Sequence, residues 1–255
     1  MRTARHLIVA ATLFGAIAAV PATAKPAPAA VIAAALASPS RPAADSARDA
    51  DRKAGALIAL AGIKPGDTVA DLVPGGGYFT RIFSALTGAK GKVYAVLPAE
   101  MAAGNPKQGE RLAALAAEPA LTNVTAVTTP SDVIALPAPV DVAWTTENYH
   151  DIYGYYGADK AAAFAKAVFK ALKPGGVFLV SDHVALTGTS ATAPTTLHRI
   201  DPATVKAQLV AAGFVIEAES GLLKNPADDH TLKVFDPLIR GKTDQFVFKA
   251  RKPRR

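Results

Sequence analysis

Asp71-Leu-Val-Pro-Gly-Gly-Gly-Tyr78 joins a short apolar run to a longer run with helical spacing. The run before it, 66–72, is apolar at its centre and begins directly after Pro65, which is typical of a buried parallel strand. The run after it, 78–86, carries apolar residues on one helical face. Glycines at such a junction permit a tight turn and let a ligand approach the backbone beside a helix N-terminus. The stretch therefore predicts either a site for a nucleotide-like ligand or a purely structural turn.

Strand-like and helix-like runs alternate along the rest of the chain, which predicts a parallel sheet covered on both faces. The last two strand-like runs have no helix between them, so they should pair as an antiparallel hairpin with a long connection, 221–245. Strands are expected at 69–73, 92–97, 124–128, 140–145, 177–182, 214–220 and 246–250. Helices are expected at 45–61, 78–86, 108–117, 159–172 and 202–212.

The N-terminus has the pattern of an export signal. Basic residues precede an uninterrupted apolar core, 7–20, and Ala22-Thr-Ala24 forms a cleavage site. We therefore expect a Sec-type signal peptide at 1–24, cleavage after Ala24 and a periplasmic or secreted protein, with an uncleaved anchor as the alternative. The Ala- and Pro-rich stretch 25–44 is expected to be a linker, and 45–255 a single domain.

Composition excludes several function classes. The 255 residues include no cysteine, which excludes disulfides, thiolate nucleophiles and cysteine metal sites. The formal net charge is +7, but no aromatic residues interleave with a basic patch, so we expect no nucleic-acid partner and a solvated basic tail at 249–255. No stable membrane insertion is expected after signal cleavage, and the sequence gives no indication of oligomeric state.

Three features together resemble the class I S-adenosylmethionine-dependent methyltransferases. They are Asp71-x-Val-x-Gly75-x-Gly77 after the first strand, Leu172-Lys-Pro-Gly-Gly-Val-Phe-Leu-Val180 entering the fifth, and the closing hairpin. The resemblance spans about 45–253, and several shorter motifs are similar to a bacterial group of predicted exported methyltransferases. It implies an α/β fold: a Rossmann-like, doubly wound sheet of seven strands with an antiparallel last strand, in three αβα layers.

The resemblance also implies where S-adenosyl-L-methionine would bind. The glycine turn would pass under the methionine part of the cofactor, with the strand-end acid near its amino group. Two positions depart from the usual pattern: Val73 replaces the first glycine, and Leu97 stands where an acid normally binds the ribose. Glu100 could take over that role or simply begin a helix, and Asp132 could contact the adenine or form a turn. The implied cofactor-binding residues are Asp71, Pro74, Gly75, Gly76, Gly77, Tyr78, Glu100 and Asp132.

The segment 144–156 is rich in polar and aromatic residues and is expected to be a loop at the carboxyl edge of the sheet. His150 is the best candidate for a general base, since neutral imidazole is available near pH 7. Asp151 could orient the histidine, and Tyr149 could line the pocket, where an aromatic face attracts the sulfonium. The alternative is a packed loop in which these residues are structural.

Further polar residues should reach the same edge. His183 and His198 are candidate acceptor-site residues, and Arg199 could bind an anionic group. The spacing of these histidines and acids fits no recognised ligand pattern, so no metal site is expected. Asp201 before Pro202 should be a helix N-cap, and 228–230 should be a solvated loop.

The sequence thus predicts a methyltransferase that acts on an unidentified small-molecule acceptor outside the cytoplasm. Export raises an objection, because the cofactor is made in the cytosol. With Val73 and Leu97, that objection supports an alternative from another class: a catalytically degenerate methyltransferase-like fold that serves as an exported ligand-binding module. A nicotinamide dehydrogenase fits less well, because the glycine pattern is not G-x-G-x-x-G.

Overall fold

A computed structural model describes residues 29–254. The predicted signal peptide and the first residues of the predicted linker lie outside this range. The strands are β1 Thr68–Leu72, β2 Lys92–Pro98, β3 Val124–Thr129, β4 Val140–Thr146, β5 Leu172–His183, β6 Val215–Ser220 and β7 Gln245–Arg251. The helices are α1 Ala29–Leu36, α2 Ala43–Ser46, α3 Ala54–Ala61, α4 Tyr78–Thr87, α5 Ala99–Gly104, α6 Pro106–Ala116, α7 Tyr149–Tyr156, α8 Ala158–Ala171, α9 Ala193–Thr196 and α10 Pro202–Ala211.

The seven strands form one sheet in the order β3-β2-β1-β4-β5-β7-β6. β1 to β5 pair in parallel, whereas β7 is antiparallel to both β5 and β6. The chain order reverses between β1 and β4, and in open α/β sheets ligands bind at the carboxyl ends of the strands at such a reversal. The predicted seven-stranded Rossmann-like sheet with an antiparallel last strand is therefore confirmed.

Apolar side chains cover the sheet on both faces. One core cluster lies on the side of α1, α3, α4 and α6, and includes Val69 and Trp144. The other lies on the side of α7, α8 and α10, and includes Ala70 and Phe178. Successive residues of one strand point to opposite faces, so a strand buried on both sides is almost continuously apolar. The two clusters give the three αβα layers that the resemblance implies.

The N-terminal part of the described chain differs from the expected linker. Residues 29–36 form α1, whose Ile32 and Ala35 are buried in the core cluster that also contains Val69 and Trp144. Arg41 is also buried, and its guanidinium donates to the carboxylate of Asp49. Alanine favours helix and is small enough to pack closely, so this Ala-rich composition forms a docked helix. The packed domain thus begins before residue 45.

Two other segments differ from the sequence predictions. The expected single helix 45–61 is divided into α2 and α3, with Lys53 in the left-handed conformation directly before α3. The expected loop 144–156 contains α7, because Tyr149 and Ile152, three residues apart, are buried on one helical face. Within residues 29–254, no helix is long and apolar enough to cross a bilayer.

Candidate active site

The turn between β1 and α4 has an unusual backbone. Val73, Gly75 and Gly77 have φ angles of 59°, 58° and 83°. Glycine adopts a positive φ readily, whereas a β-branched residue is strained there because its side chain clashes with the backbone. Val73 therefore keeps a conformation suited to the glycine that it replaces. Its carbonyl accepts a hydrogen bond from the Asn148 side chain at 3.3 Å, which ties the turn to the start of α7.

The glycines of this turn have different surroundings. A Cβ added to Gly75 or Gly76 would meet no atom within 4 Å, so the turn opens onto free space there. A Cβ at Gly77 would lie 2.4 Å from a methyl carbon of Leu115. A side chain at Gly77 would thus displace Leu115 of α6 and would be strained by the φ of 83°, whereas Gly75 and Gly76 leave room for a ligand. The Pro74 carbonyl accepts the Gly77 amide at 2.9 Å and closes the turn.

Asp71 lies directly below this turn at the end of β1. Its side chain is buried, and it accepts a hydrogen bond from the Thr80 hydroxyl at 2.6 Å. Burial raises the pKa of Asp71 to about 6, although Thr80 and the positive charge of Arg52 oppose that rise. A cationic group nearby would favour the ionised carboxylate, as the amino group of a methionine moiety would.

Tyr78, implied as a cofactor contact, is instead covered by the segment that precedes α3. Its hydroxyl donates to Asp49 at 2.6 Å. The guanidinium carbons of Arg41, Arg48 and Arg52 lie 5.4, 5.4 and 4.6 Å from the ring centroid. These cation–π contacts fasten the N-terminal segment to the start of α4, so the structure gives Tyr78 a packing role.

Glu100 and Asp132 both contact Lys160 of α8. Lys160 lies 2.8 Å from Asp132 and 3.6 Å from Glu100, and the Ser131 amide donates to Glu100 at 3.3 Å. Burial by itself raises the pKa of Glu100, but Ser131 and Lys160 outweigh it and lower that pKa. Both carboxylates are thus paired with Lys160, and a ligand hydroxyl would share them with that cation. Leu97 is buried and cannot accept a hydrogen bond.

Tyr149 packs in the core and does not line a cavity. It is fully buried, and its hydroxyl lies 2.7 Å from the Gln208 side-chain oxygen and 3.2 Å from the Ala161 carbonyl. These contacts join α7 to α8 and α10. The structure therefore supports the packed alternative for this residue.

His150 is buried within a cluster of polar groups. Its backbone amide donates to Asp182 at 2.8 Å, and its Nδ1 lies 2.7 Å from the same carboxylate. Its Nε2 lies 3.2 Å from both Asp151 Oδ1 and His198 Nδ1. Burial by itself lowers the pKa of His150, but Asp182 and Asp151 outweigh it and raise that pKa to about 10. Both ring nitrogens are engaged, which differs from the expected free, neutral base.

A cavity of about 470 Å³ opens at the carboxyl ends of β4 and β5. Its floor contains Thr146, Glu147 and Ser181, and its walls come from the start of α4, the segment 48–52 and the β6–β7 connection. Glu147 accepts from Arg52 at 2.9 Å and from Gln245 at 3.1 Å. Burial by itself raises the pKa of Glu147, but its charged and hydrogen-bonding neighbours, Arg52 foremost, outweigh it and lower that pKa. Glu147 and Arg52 are not recognisable as site residues in the sequence, because lone charges in a polar stretch carry no distinctive pattern.

His183 is the histidine that lines this cavity. Its Nδ1 lies 2.8 Å from the Thr243 hydroxyl, and its Nε2 has no hydrogen-bond partner among residues 29–254. Burial lowers the pKa of His183, so the ring is neutral near pH 7. His183 thus presents a neutral imidazole to the cavity, whereas both ring nitrogens of His150 are engaged.

Arg199 and 228–230 differ from the sequence predictions. Arg199 is fully buried and forms a bidentate pair with Asp228 at 2.9 and 3.0 Å. It is therefore occupied inside the protein and does not bind a substrate anion, and Asp228 is not in a solvated loop. The pair fixes the β6–β7 connection, which forms one wall of the cavity. Asp201 caps α10 as expected, by accepting from the Ala203 amide at 2.8 Å.

Solved structures share this architecture. A SAM-dependent methyltransferase from Aquifex aeolicus is 19% identical and aligns over 78% of this chain and 89% of its own, with a TM-score of 0.51. The glycopeptide N-methyltransferase MtfA, solved with sinefungin, is 16% identical over 80% and 86%, with a TM-score of 0.53. The chain has the fold of class I S-adenosylmethionine-dependent methyltransferases. No protein-family model and no curated protein sequence matches the chain.

This fold does not by itself fix a reaction. The [4+2]-cyclase SpnF has a TM-score of 0.58 with this chain, is 19% identical, and aligns over 80% of this chain and 81% of its own. Sequence identities this low show a shared fold only, so the reaction depends on the residues of the site.

Proposed function

We propose that this chain is an S-adenosylmethionine-dependent methyltransferase that acts on a small acceptor outside the cytoplasm. The observation that supports it is the glycine turn at the sheet reversal, where Gly75 and Gly76 face open space and Val73 keeps a left-handed backbone. Strain of this kind persists only where the surrounding structure enforces it, and it is common at ligand sites. A turn that served only to connect β1 to α4 would not need it.

The residues around the turn fit the cofactor. Gly75 and Gly76 would lie under its methionine part, and Asp71 would face its amino group. Glu100 and Asp132 are the polar groups available for its nucleoside end, shared with Lys160. When bound, S-adenosylmethionine supplies an electrophilic methyl group on a sulfonium. The residues of this chain hold that group in line with the acceptor, and alignment supplies much of the rate.

The cavity beside His183 is the proposed acceptor site. An oxygen or nitrogen acceptor that carries a proton must lose it as the new bond forms, and His183 Nε2 is free to take it. Thr243 holds the ring through Nδ1. Phe79 and Phe235 provide apolar walls, while the paired Arg52 and Glu147 provide polar contacts. A small, partly aromatic or apolar acceptor with one exchangeable proton suits this lining.

The location outside the cytoplasm rests on the signal-like sequence 1–24. It also motivates the second candidate function, an exported binding module without methyl transfer. Two observations favour that candidate: Leu97 is a buried apolar side chain at the end of β2, and Glu100 is already engaged by Ser131 and Lys160. Under this candidate the cavity would hold a different ligand.

Calorimetric titration with S-adenosylmethionine and S-adenosylhomocysteine tests the proposal. We expect both to bind with micromolar affinity, which corresponds to about −8 kcal/mol. Absence of binding at millimolar ligand by a protein that is folded by circular dichroism would contradict the proposal and favour the binding module.

A further inference from the structure

Three metal-ligating side chains converge beside the cavity. His150 and Asp151 come from the first turn of α7, and His198 comes from the segment between α9 and α10. His150 Nε2 lies 3.2 Å from Asp151 Oδ1 and 3.2 Å from His198 Nδ1, and the last two atoms are 3.4 Å apart. We propose that His150, Asp151 and His198 bind a divalent transition-metal ion, with zinc as the best match.

The three distances are those of a tetrahedral site. Zinc bonds nitrogen and carboxylate oxygen at about 2.0–2.1 Å, so ligand atoms at the tetrahedral angle lie about 3.3–3.4 Å apart. Without an ion, His150 Nε2 and His198 Nδ1 form a hydrogen bond at 3.2 Å, at the long end of the usual range of about 2.7–3.2 Å. Each of the three atoms is nearly equidistant from the other two, as coordination to one central ion requires.

Asp182 would orient the first ligand. Its carboxylate accepts the backbone amide of His150 and lies 2.7 Å from Nδ1 of the ring. A carboxylate that holds one ring nitrogen directs the lone pair of the other toward the metal, an arrangement found around most metal-bound histidines. Asp182 is fully buried, so its own position is fixed by packing.

Two further observations at the cluster favour a cation ligand. Asp151 Oδ1 is shielded from solvent and, among residues 29–254, accepts no hydrogen bond, although it lies 3.2 Å from His150 Nε2. A buried carboxylate oxygen without a donor is costly, and a bound ion would satisfy it. His198, whose ring belongs to the cluster, has a φ of 55°, an uncommon conformation for a residue other than glycine.

The donor set indicates the class of metal. Two imidazole nitrogens and one carboxylate oxygen suit zinc and its neighbours, whereas magnesium and calcium prefer oxygen ligands alone. Three protein ligands leave a fourth position for water or a ligand oxygen. The His150 and His183 ring centroids are 5.9 Å apart, so the ion would lie next to the cavity wall. This inference does not depend on the proposed methyl transfer.

Zinc titration of the untagged, EDTA-treated chain tests the site. We expect one Zn²⁺ per chain with micromolar or tighter affinity, and Co²⁺ should give the visible bands of four-coordinate cobalt. His198→Asn and Asp151→Asn should each weaken Zn²⁺ binding at least tenfold and remove those bands. Asparagine tolerates the left-handed backbone at 198, so the first variant should remain folded.

His230→Asn is the matched control. His230 also has a positive φ, 66°, and its Nε2 lies 3.0 Å from the carboxylate of Asp244, but it is outside the cluster. This variant should keep the Zn²⁺ affinity and the cobalt bands of the wild type. Absence of stoichiometric Zn²⁺ binding, or unchanged affinity in both His198→Asn and Asp151→Asn, would overturn the proposal.

Discussion

The Asn148 side chain donates a hydrogen bond to the carbonyl of Val73 at 3.3 Å. This contact joins the first residue after β1 to the residue before α7, at the point where the sheet order reverses. Both partners lie beside strained backbone, since Val73 has a φ of 59° and Glu147, next to Asn148, has a φ of 62°. Two strained turns thus support each other at the edge where ligands bind in this fold.

Val73→Gly should cost less stability than an ordinary Val→Gly change. The substitution removes the buried valine side chain, but it also relieves about 1–2 kcal/mol of strain from the left-handed backbone at residue 73. Val124 is the matched control, because both valines are 9% exposed and Val124 lies in β3 without a positive φ. Urea unfolding should show a loss at least about 1 kcal/mol smaller for Val73→Gly than for Val124→Gly. Equal losses would show that the valine is unstrained.

Asp71→Asn should stabilise the protein more as the pH rises. Burial raises the folded pKa of Asp71 to about 6, above the usual 3.8, so the folded state holds that proton more tightly than the unfolded state. Ionising Asp71 therefore costs stability between about pH 4 and pH 6, on the order of 3 kcal/mol at most. Asparagine does not ionise and avoids that cost.

The unfolding free energy of Asp71→Asn minus that of the wild type should accordingly grow from pH 4 to pH 7. Asp132→Asn is the control, because Lys160 lowers the pKa of that exposed carboxylate. The control should show no such gain. A difference for Asp71→Asn that stays constant with pH would refute the assigned cause.

Asp228→Asn should destabilise the protein by about 3–5 kcal/mol, because it leaves the fully buried Arg199 guanidinium without its counter-ion. Glu219→Gln, which removes the exposed pair with Lys206, should cost less than about 1 kcal/mol. Chemical denaturation of the two variants checks the contrast. Similar losses in both would mean that the buried pair does not hold the β6–β7 connection in place.

The sheet could be predicted because its signals are local. Each parallel strand is an apolar run bounded by turn residues. The Lys173-Pro-Gly-Gly176 stretch lies near the start of β5, directly before the apolar part of that strand. α7 is not predictable because tyrosines and polar residues obscure its short helical face. α1 is not predictable because alanine and proline are typical of a linker, whereas burial of Ile32 depends on tertiary packing that no local pattern contains.

The site could be predicted only in part. The glycine turn and the histidines were visible as motifs, and the fold brings His150 and His198 together as expected of one sheet edge. His150 and His183 are both buried, but His183 lines the cavity whereas His150 does not, and this difference depends on the folded structure. The cluster of His150, Asp151 and His198 has no signal in the sequence, because the first two residues are adjacent while His198 lies far along the chain. The Arg199–Asp228 pairing likewise depends on the folded connection.

A side chain that blocks the open part of the glycine turn tests the cofactor site most directly. Gly76 lacks a positive φ and a Cβ there meets no atom, so Gly76→Leu should fold normally while its side chain fills the proposed cofactor space. Gly109→Leu, with the same free surroundings on α6, is the matched control. Calorimetry should show S-adenosylmethionine binding to the wild type and to Gly109→Leu, and binding at least about 100-fold weaker, or roughly 2.7 kcal/mol, for Gly76→Leu. Equal affinities in all three proteins, or no binding by the wild type, would contradict a cofactor site at this turn.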